Sequence, residues 1–394
     1  MSDIAVPKGF RFKAVSAAIK KPGRLDVAVI FSDRPATAAA VFTTNKVKAA
    51  PVLDGIKKIR SGAARAIVVN SGNANACTGP RGLDDVKATA QAAAGVLGIK
   101  PSEVLVSSTG VIGLPLPMDR LVPGVKSAAS ALDGTLDDVA RAIMTTDTFP
   151  KAASRTVKLG GKKVTISGVA KGSGMIAPNM ATMLAFIVTD AAVETSLLSE
   201  ALKNAVKYSF NRITVDGDRS TNDTAVLLAN GAAGNAAIEA GTPDAAKFMK
   251  VVGEITYELS RMIAKDGEGA TKLIEVCVKG AKNERDAELA AMAIANSPLV
   301  KTAVYGRDAN WGRILCAAGY SGAALREDKI AVFINKVKIV SGGLATGKDA
   351  QAARAMEADE VNIVVDLGVG TAEARVLTCD LTEKYIKINA EYRT

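Results

Sequence analysis

The chain has 394 residues, of which 48% are hydrophobic and 23% charged, and this composition excludes an intrinsically disordered protein. It contains no histidine, which excludes every mechanism that uses an imidazole as a base or as a metal ligand. If the protein is an enzyme, its proton transfers must use amines, carboxylates, hydroxyls or water.

The net charge of +10 comes from 50 basic and 40 acidic residues that are interspersed along the chain. No basic arm or aromatic-basic stripe is present, so nucleic acid is not the expected partner. The net positive charge is equally consistent with a mild positive field that attracts anionic metabolites and with a solvated surface that has no functional role. The longest apolar run, Met180–Val188, is too short to cross a membrane, and no signal-peptide pattern begins the chain. We therefore expect a soluble cytoplasmic protein.

The four cysteines lie far apart and form no C-x-x-C pair, so neither a zinc site nor an iron–sulfur site is expected. They are Cys77, Cys277, Cys316 and Cys379.

Strand-like and helix-like segments alternate in the first part of the chain. Val27–Phe31 and Ala66–Val69 are short β-branched runs typical of strands. Apolar residues at helical spacing predict a helix over Asp84–Leu97. A second helix is predicted to begin at Thr135, whose hydroxyl can cap it.

The same alternation continues toward the C-terminus. Val164–Ile166 reads as a strand, and Met183–Val188 is apolar throughout, which predicts a strand buried on both faces. Helices are predicted over Leu197–Tyr208 and Glu284–Ala295. The polar stretch Lys279–Glu284 is the best candidate for a linker. The predicted class is mixed α/β, with helices covering sheets.

Alternating residues in Val361–Leu367 and Ala374–Thr378, joined by a glycine-rich turn, predict a β-hairpin with one buried face.

Two glycine motifs resemble nucleotide-binding loops without matching them. Gly342–Lys348 is followed by Asp349 where a phosphate-binding loop needs a hydroxyl for Mg²⁺, so a glycine-rich turn is the better interpretation. Gly172–Ala177 fits the relaxed dinucleotide pattern, but Pro178 interrupts the helix that should follow.

The segment Lys171–Leu184 suggests chemistry of another kind. A glycine-rich loop leads through the small residue Ala181 to Thr182 and then to a buried strand. In a protein without histidine, a threonine can be activated by its own α-amine if it becomes the first residue of a chain. A threonine before a strand is usually only a β-former. The residues alone therefore leave both interpretations open.

Eight stretches in order along the chain resemble the ornithine acetyltransferase family, which is also called glutamate N-acetyltransferase or the arginine-biosynthesis ArgJ family. The resemblance covers nearly the whole chain. The stretches are Phe42–Asn45, Asn70–Asn75, Ser108–Gly113, Met144–Thr148, Lys171–Leu184, Val215–Asp218, Lys265–Thr271 and Gly306–Arg313.

The resemblance implies an autoproteolytic acetyltransferase of the N-terminal-nucleophile type, with a layered α-β-β-α sandwich and a smaller C-terminal lobe. It implies a main lobe over 1–280 and a C-terminal lobe over 281–394. Cleavage between Ala181 and Thr182 would give an α chain, 1–181, and a β chain, 182–394, which assemble as an α₂β₂ heterotetramer. No cofactor is implied, although acetyl-CoA is a possible substrate beside N-acetylornithine and glutamate.

Roles for individual residues also follow from the resemblance. Thr182 is the implied nucleophile, and Thr109 and Gly110 form the implied oxyanion hole. The implied substrate contacts are Thr145, with Thr146 as the near alternative, Lys171, Thr182, Glu268, Asn389 and Thr394. Without the resemblance, Lys171 would be interpreted as a solvated loop lysine and Glu268 as a turn acid.

Two other hypotheses remain open at the level of sequence. A related self-cleaving amidase or aminopeptidase would use the same nucleophile and pass the acyl group to water. A metabolite-binding or assembly protein without catalysis would keep an intact chain.

Overall fold

The computed structural model describes residues 4–177 and 183–391. The chain divides into two compact units. The first comprises Met1–Met175, Asn179–Asn211 and Arg219–Ile263, and the second comprises Ile176–Pro178, Arg212–Asp218 and Ala264–Thr394. The second unit therefore includes residues on both sides of position 280.

The first unit is built on an eight-stranded sheet in the order β4-β3-β2-β8-β7-β6-β5, with β1 paired to β2. The pairs β3/β4 and β7/β8 are parallel and the others antiparallel. Its elements in chain order are β1 (Phe10–Val15), β2 (Val27–Phe42), α1 (Ala50–Lys58), β3 (Ala63–Asn73), α2 (Gly79–Leu97), β4 (Val104–Val111), α3 (Met118–Ser130), α4 (Leu136–Ala142), β5 (Lys151–Leu159), β6 (Lys162–Lys171), β7 (Leu184–Thr189), α5 (Thr195–Lys207), β8 (Thr224–Ala229) and α6 (Pro243–Lys265).

The two faces of this sheet are covered differently. On one face, α2 and α3 pack on alternate residues of β2, β3 and β4, and α6 lies over β6 and β7, where Ile255 and Leu259 contact the position of Gly168. The other face carries residues such as Ile30, Val69 and Phe186 in one fully buried cluster, and the helix in that cluster is α4.

A helix of seven residues spans about 10 Å, far less than the width of eight strands. The two halves of the sheet must therefore cover each other. The change of partner along β2 makes this possible, because Val27–Phe31 pairs with β3 whereas Thr37–Phe42 pairs with β8. The layers are helix, sheet, sheet and helix, and the predicted α-β-β-α sandwich is confirmed.

The second unit contains a six-stranded sheet in the order β12-β11-β10-β13-β9-β14. Helix α7 packs against β9 and β14, and residues of α8, α9 and α10 share its apolar core. Its elements are β9 (Leu273–Ala281), α7 (Glu284–Asn296), α8 (Pro298–Tyr305), α9 (Trp311–Gly319), β10 (Ala331–Ile334), β11 (Val337–Ser341), β12 (Leu344–Ala345), α10 (Asp349–Ala355), β13 (Glu360–Asp366), β14 (Ala372–Cys379) and α11 (Glu383–Ala390).

Most locally predicted elements are present. The helix predicted from residue 84 begins five residues earlier, at Gly79, and Thr135 caps α4 by accepting a hydrogen bond from the Asp138 amide. The stretch Gly342–Lys348 begins as a turn between β11 and β12, where Gly342 and Gly343 have positive φ angles. None of the described helices is long and apolar enough to cross a lipid bilayer.

Two local predictions are wrong. The strands predicted as a terminal hairpin exist as β13 and β14, but they do not pair, because β9 lies between them and bonds to both. The predicted linker Lys279–Glu284 is largely ordered secondary structure, since Lys279 belongs to β9 and Glu284 begins α7. The pairing could not be predicted because β9 comes from earlier in the sequence, and spacing within a segment carries no signal of a distant partner. The linker was mispredicted because the end of β9 and the start of α7 carry exposed polar residues.

Candidate active site

The carboxyl ends of the parallel strands β3 and β4 place Thr109 and Gly110 against the Ser71–Gly72 backbone. Thr109 is buried. Gly110 has φ of 135°, and a Cβ atom there would lie 2.3 Å from the Gly72 carbonyl carbon. Only glycine fits this approach of two backbones. The strand ends thus fix the backbone at both residues of the predicted oxyanion hole.

A polar scaffold lies beneath these strand ends. Ser108 Oγ donates to Asn70 Oδ1 at 2.6 Å, and Asn222 Nδ2 donates to the carbonyl oxygens of Ser108 and Ala74 at 2.8 and 2.6 Å. The three side chains are buried. The Asn70–Asn75 stretch, to which the sequence assigns no role, thus helps to hold the strand that carries Thr109.

Lys171 is the last residue of β6 and is only 3% exposed. Its Nζ donates to Thr145 Oγ1 at 2.8 Å and to Thr109 Oγ1 at 3.2 Å. Both hydroxyls are acceptors in these contacts, so their own protons can be donated to another group. The simple interpretation of Lys171 as a solvated loop residue is therefore wrong.

Asp147 connects the parts of this cluster. Its Oδ1 accepts from the Gly172 amide and from Lys151 Nζ, both at 2.7 Å, and its Oδ2 accepts from the Thr145 amide at 2.9 Å. Burial alone would raise the pKa of Asp147, but the charges of Lys151 and Lys171, with the hydrogen bonds from Lys151 and Thr145, lower it to about 2. The ionised carboxylate fixes the backbone beside both Thr145 and Lys171.

Met183, the residue before β7, is also held by a carboxylate. Its amide donates to Asp223 Oδ1 at 2.9 Å. Asp223 is completely buried immediately before β8, and beside the Met183 amide the hydroxyl of Thr43 also interacts with its carboxyl group. Burial raises the pKa of Asp223 well above its usual range.

In the second unit, Glu268 and Asn389 meet although they are far apart in sequence. Asn389 Nδ2 donates to Glu268 Oε2 at 2.7 Å and to the Tyr385 carbonyl oxygen at 3.1 Å. Glu268 is buried, whereas Asn389 lies on the exposed side of α11. Glu268 is thus more than a turn acid, because its carboxylate is paired.

Helix α11 is fixed to the turn around Glu268 in two ways. Thr382 caps the helix and donates its hydroxyl to the Gly269 carbonyl oxygen at 2.8 Å. The Tyr385 hydroxyl donates to Asp216 Oδ2 at 3.3 Å, and Asp216 Oδ1 accepts from the Ile176 amide at 2.9 Å. Burial and the nearby Asp216 raise the pKa of Tyr385. Asp216 therefore joins α11 to the segment that precedes the predicted cleavage position.

The predicted residues thus form two groups, one in each unit. Thr109, Gly110, Thr145 and Lys171 come together in the first unit, and Glu268 and Asn389 come together in the second. Ala181, Thr182 and Thr394 lie outside the described residues.

Sequence reasoning assigned no role to Asp147, Lys151 or Asp223. The one available signal was the position of Asp147 within the Met144–Thr148 stretch that carries the family resemblance. Nothing local indicates that these three charged side chains are buried.

The family model described as the ArgJ family matches residues 11–394. The chain belongs to the ArgJ family. Two curated relatives, each named arginine biosynthesis bifunctional protein ArgJ, come from Geobacter sulfurreducens and Caldanaerobacter subterraneus subsp. tengcongensis. The first is 56% identical over 98% of this chain and 99% of the relative, and the second is 51% identical over 99% and 98%.

A crystal structure of arginine biosynthesis bifunctional protein ArgJ from Bacillus halodurans is also similar to this ArgJ-family chain. It is 44% identical, covers 51% of this chain and 95% of its own chain, and superposes with a TM-score of 0.50.

Within residues 4–177 and 183–391, no group of three or more cysteine, aspartate or glutamate side chains is arranged to hold a metal ion.

Proposed function

We propose that this ArgJ-family protein transfers an acetyl group from N2-acetyl-L-ornithine to L-glutamate through an acetyl ester on Thr182. The observation that carries the proposal is the contact of Lys171 with Thr109 and Thr145 at the end of β6. Lys171 pairs with Leu184 at the start of β7, two residues after Thr182. The cluster is therefore next to Leu184, which follows the predicted nucleophile by two residues in the sequence, and this proximity supports the proposal.

In the first half of the reaction, Thr182 Oγ attacks the acetyl carbonyl carbon of N-acetylornithine, and the free α-amine of Thr182 takes the hydroxyl proton. The tetrahedral intermediate carries an oxyanion that donors at Thr109 and Gly110 stabilise. Lys171 already donates to Thr109 Oγ1, which leaves the Thr109 hydroxyl proton able to face the oxyanion. The C–N bond then breaks, and the ornithine nitrogen leaves with the proton held by the α-amine.

In the second half, the neutral α-amine of glutamate attacks the acetyl ester. The same donors stabilise the second oxyanion, and the α-amine of Thr182 takes the proton that the attacking nitrogen loses. The C–O bond to Thr182 then breaks, and that proton passes to Oγ as N-acetylglutamate leaves. Lys171 and Thr145 are suited to a substrate carboxylate, and Glu268 with Asn389 is suited to a substrate ammonium group. N-acetylornithine presents both kinds of group, whereas glutamate presents two carboxylates beside its attacking amine.

The nucleophile requires prior cleavage between Ala181 and Thr182. An N→O acyl shift from Ala181 to Thr182 Oγ, followed by hydrolysis, gives chains of 181 and 213 residues. The Bacillus halodurans chain aligns over 95% of its length with 51% of this chain, so it is about half as long, as a processed chain would be. We further propose an α₂β₂ assembly of the processed chains, in the cytoplasm.

The curated relatives are named bifunctional, so the proposal extends to acetyl-CoA as a second acetyl donor for N-acetylglutamate synthesis. The hydrolytic alternative, in which water accepts the acetyl group, is not favoured, because the relatives matched over the whole chain are arginine biosynthesis proteins. No cofactor is required by any step.

The test compares the wild-type protein with Thr182→Ala. Intact mass should show two chains divided after Ala181 for the wild type and one chain for the variant, and light scattering should show two copies of each processed chain. Wild-type protein should form ornithine and N-acetylglutamate in equal amounts, with an acetylated 182–394 chain when glutamate is omitted.

Different results would exclude different parts of the proposal. A wild-type chain that stays whole yet transfers acetyl would exclude Thr182 as the nucleophile. Release of free acetate at a rate independent of glutamate would favour the hydrolase. Acetyl-CoA with glutamate alone should also yield N-acetylglutamate, and its absence would restrict the protein to recycling.

A further inference from the structure

Glutamate carries a side-chain carboxylate that the candidate site must also accommodate. The side chain of N-acetylornithine ends in an ammonium group, which suits Glu268. A second carboxylate in its place would be repelled by Glu268, because like charges repel. Lys171 and Thr145 are suited to the one carboxylate that both substrates share. Binding of glutamate as the acceptor therefore calls for a further cation close to Thr145.

Arg24 provides a cation at this place. It lies in the exposed loop between β1 and β2, and its guanidinium donates to the carbonyl oxygen of Thr145 at 3.3 Å and to that of Met144. Lys171 Nζ donates to the hydroxyl of the same threonine at 2.8 Å. Bond lengths therefore limit the distance between the two cations to about 10 Å. The carboxylates of glutamate are joined by three carbon atoms, so cations that bind them in an extended molecule also lie roughly 10 Å apart.

The charge of Arg24 is available to a ligand. Within residues 4–177 and 183–391, its side chain bonds to the two carbonyl oxygens and forms no ion pair. Two buried acids near the loop are committed elsewhere, since Asp26 accepts from two amides of the loop, both at 2.6 Å, and Asp147 is paired with Lys151. A guanidinium has five N–H donors in a planar fork that fits a carboxylate. The donors that the carbonyl oxygens do not use can bind one.

The loop that carries Arg24 also borders the predicted oxyanion hole. A Cβ atom at Gly72 would lie 3.0 Å from Lys20 Cβ, and the backbone of Gly72 is the one that Gly110 approaches. Lys20 and Lys21 are both exposed. The three basic residues of the loop give this edge of the site a positive charge, which favours an acceptor with two carboxylates.

We propose that Arg24 binds the side-chain carboxylate of glutamate while Lys171 and Thr145 bind its α-carboxylate. Arg24 is then a specificity residue for the second half of the reaction, because N-acetylornithine has no second carboxylate. The two carbonyl contacts hold the guanidinium in place before the substrate arrives, which reduces the entropic cost of binding. This inference rests on the proposed function, because it takes glutamate to be the acetyl acceptor.

The test compares the cleaved wild-type protein with Arg24→Gln and Arg24→Lys. In ping-pong transfer, kcat/KM for each substrate reports its own half of the reaction, so the two halves are measured separately. Glutamine serves as a second acceptor, since it differs from glutamate in lacking the side-chain charge. Intact mass follows the loss of acetyl from the acetylated 182–394 chain to either acceptor.

Arg120→Gln is the matched control. Arg120 is exposed and donates to the Ala18 carbonyl oxygen of the same loop at 3.0 Å. The substitution therefore removes an equal charge beside the loop while leaving the hydrogen bonds of Thr145 in place.

In Arg24→Gln, kcat/KM for glutamate should fall roughly tenfold, as the loss of a hydrogen-bonded charge pair predicts, whereas kcat/KM for acetylornithine should stay within about twofold of the wild type. The preference for glutamate over glutamine should fall by a similar factor, because glutamine brings no charge for Arg24 to bind. Arg24→Lys should keep part of the preference, since the charge remains without the fork. Arg120→Gln should resemble the wild type in all these measurements.

Two results would overturn the proposal. One is an equal fall in kcat/KM for acetylornithine and for glutamate with an unchanged preference for glutamate over glutamine, which would show that Arg24 only holds the Thr145 backbone. The other is an Arg24→Gln protein that matches Arg120→Gln. A wild-type protein that releases acetate at a rate independent of glutamate would instead remove the proposed function itself, and so the two failures are distinguishable.

Discussion

Asp147 and Lys151 form an ion pair in which both side chains are completely buried, with 2.7 Å between Oδ1 and Nζ. The pair is not isolated, because the same carboxylate accepts from the amides of Thr145 and Gly172. A buried pair is costly to assemble, and its loss on one side leaves an uncompensated charge. Because Asp147 also holds the backbone at Thr145 and Gly172, loss of the ion pair should affect both the stability of the first unit and the geometry of the candidate site.

Asp147→Asn should lower the free energy of unfolding by about 3–5 kcal/mol, because Lys151 would remain buried without its carboxylate. Asp137→Asn, which removes the half-exposed partner of Arg141, should change it little. Urea unfolding at neutral pH measures both. Equal decreases in the free energy of unfolding for the two variants would contradict the expectation that the buried ion pair matters more than the exposed one.

The pH dependence of stability should also change in Asp147→Asn. The folded-state pKa of about 2 lies below the ordinary 3.8, so the stabilising contribution is present above about pH 4 and is lost as the pH falls toward 2. It amounts to about 2 kcal/mol in the wild type. Acid unfolding curves should therefore be flatter in this range for the variant. Parallel curves would show that another acid is responsible.

Lys171→Met should reduce kcat/KM for acetylornithine by about 10- to 100-fold, because a buried cation that contacts two hydroxyls and faces the proposed carboxylate is lost. Lys171→Arg should recover little, since a guanidinium does not fit a site shaped for a compact ammonium group. Lys126→Met, on the exposed surface of α3, is the control and should match the wild type. Unchanged kinetics in Lys171→Met would exclude a substrate contact.

Gly110→Ala should destabilise the protein by more than about 2 kcal/mol or prevent folding, because its Cβ would overlap the Gly72 backbone at a positive φ angle. Gly95→Ala is a matched substitution within α2 where a Cβ meets nothing within 4 Å. That variant should be more stable by about 0.5–1 kcal/mol. Thermal unfolding of both tests whether the close approach, rather than the loss of glycine, is decisive.

Asn389→Ala and Glu268→Gln should each raise KM for acetylornithine, and their effects should not add, because Asn389 donates to Glu268 at 2.7 Å. A double-mutant cycle with a coupling of about 1–2 kcal/mol in kcat/KM is expected. Asn335→Ala, whose side-chain amide donates to the Ala355 carbonyl oxygen in the same unit, controls for general destabilisation. Strict additivity would mean that the two residues act independently.

The sequence anticipated features whose cause is local. The Thr135 cap, the helix ending at Leu97 and the apolar strand β7 each depend on residues within one or two turns, so spacing and side-chain type were sufficient. The family resemblance added the candidate site residues, of which Thr109, Thr145 and Lys171 lie together.

Features that depend on residues distant in the sequence could not be predicted. The terminal strands β13 and β14 were predicted to pair with each other, but the earlier strand β9 separates them. The burial of Asp147, Lys151 and Asp223 was not predicted, because burial depends on which strands and helices pack around a residue in the folded chain.

The amino-acid sequence by itself determined the absence of imidazole chemistry, the order of helices and strands, and the family to which the chain is similar. The tertiary structure alone decided that β2 passes from one half of the sheet to the other, and that Lys171 reaches Thr109 across 62 residues and Asn389 reaches Glu268 across 121. Helix and strand periodicity is set by nearest neighbours along the chain, whereas the burial and pairing of charges are set by contacts that exist only once the chain has folded.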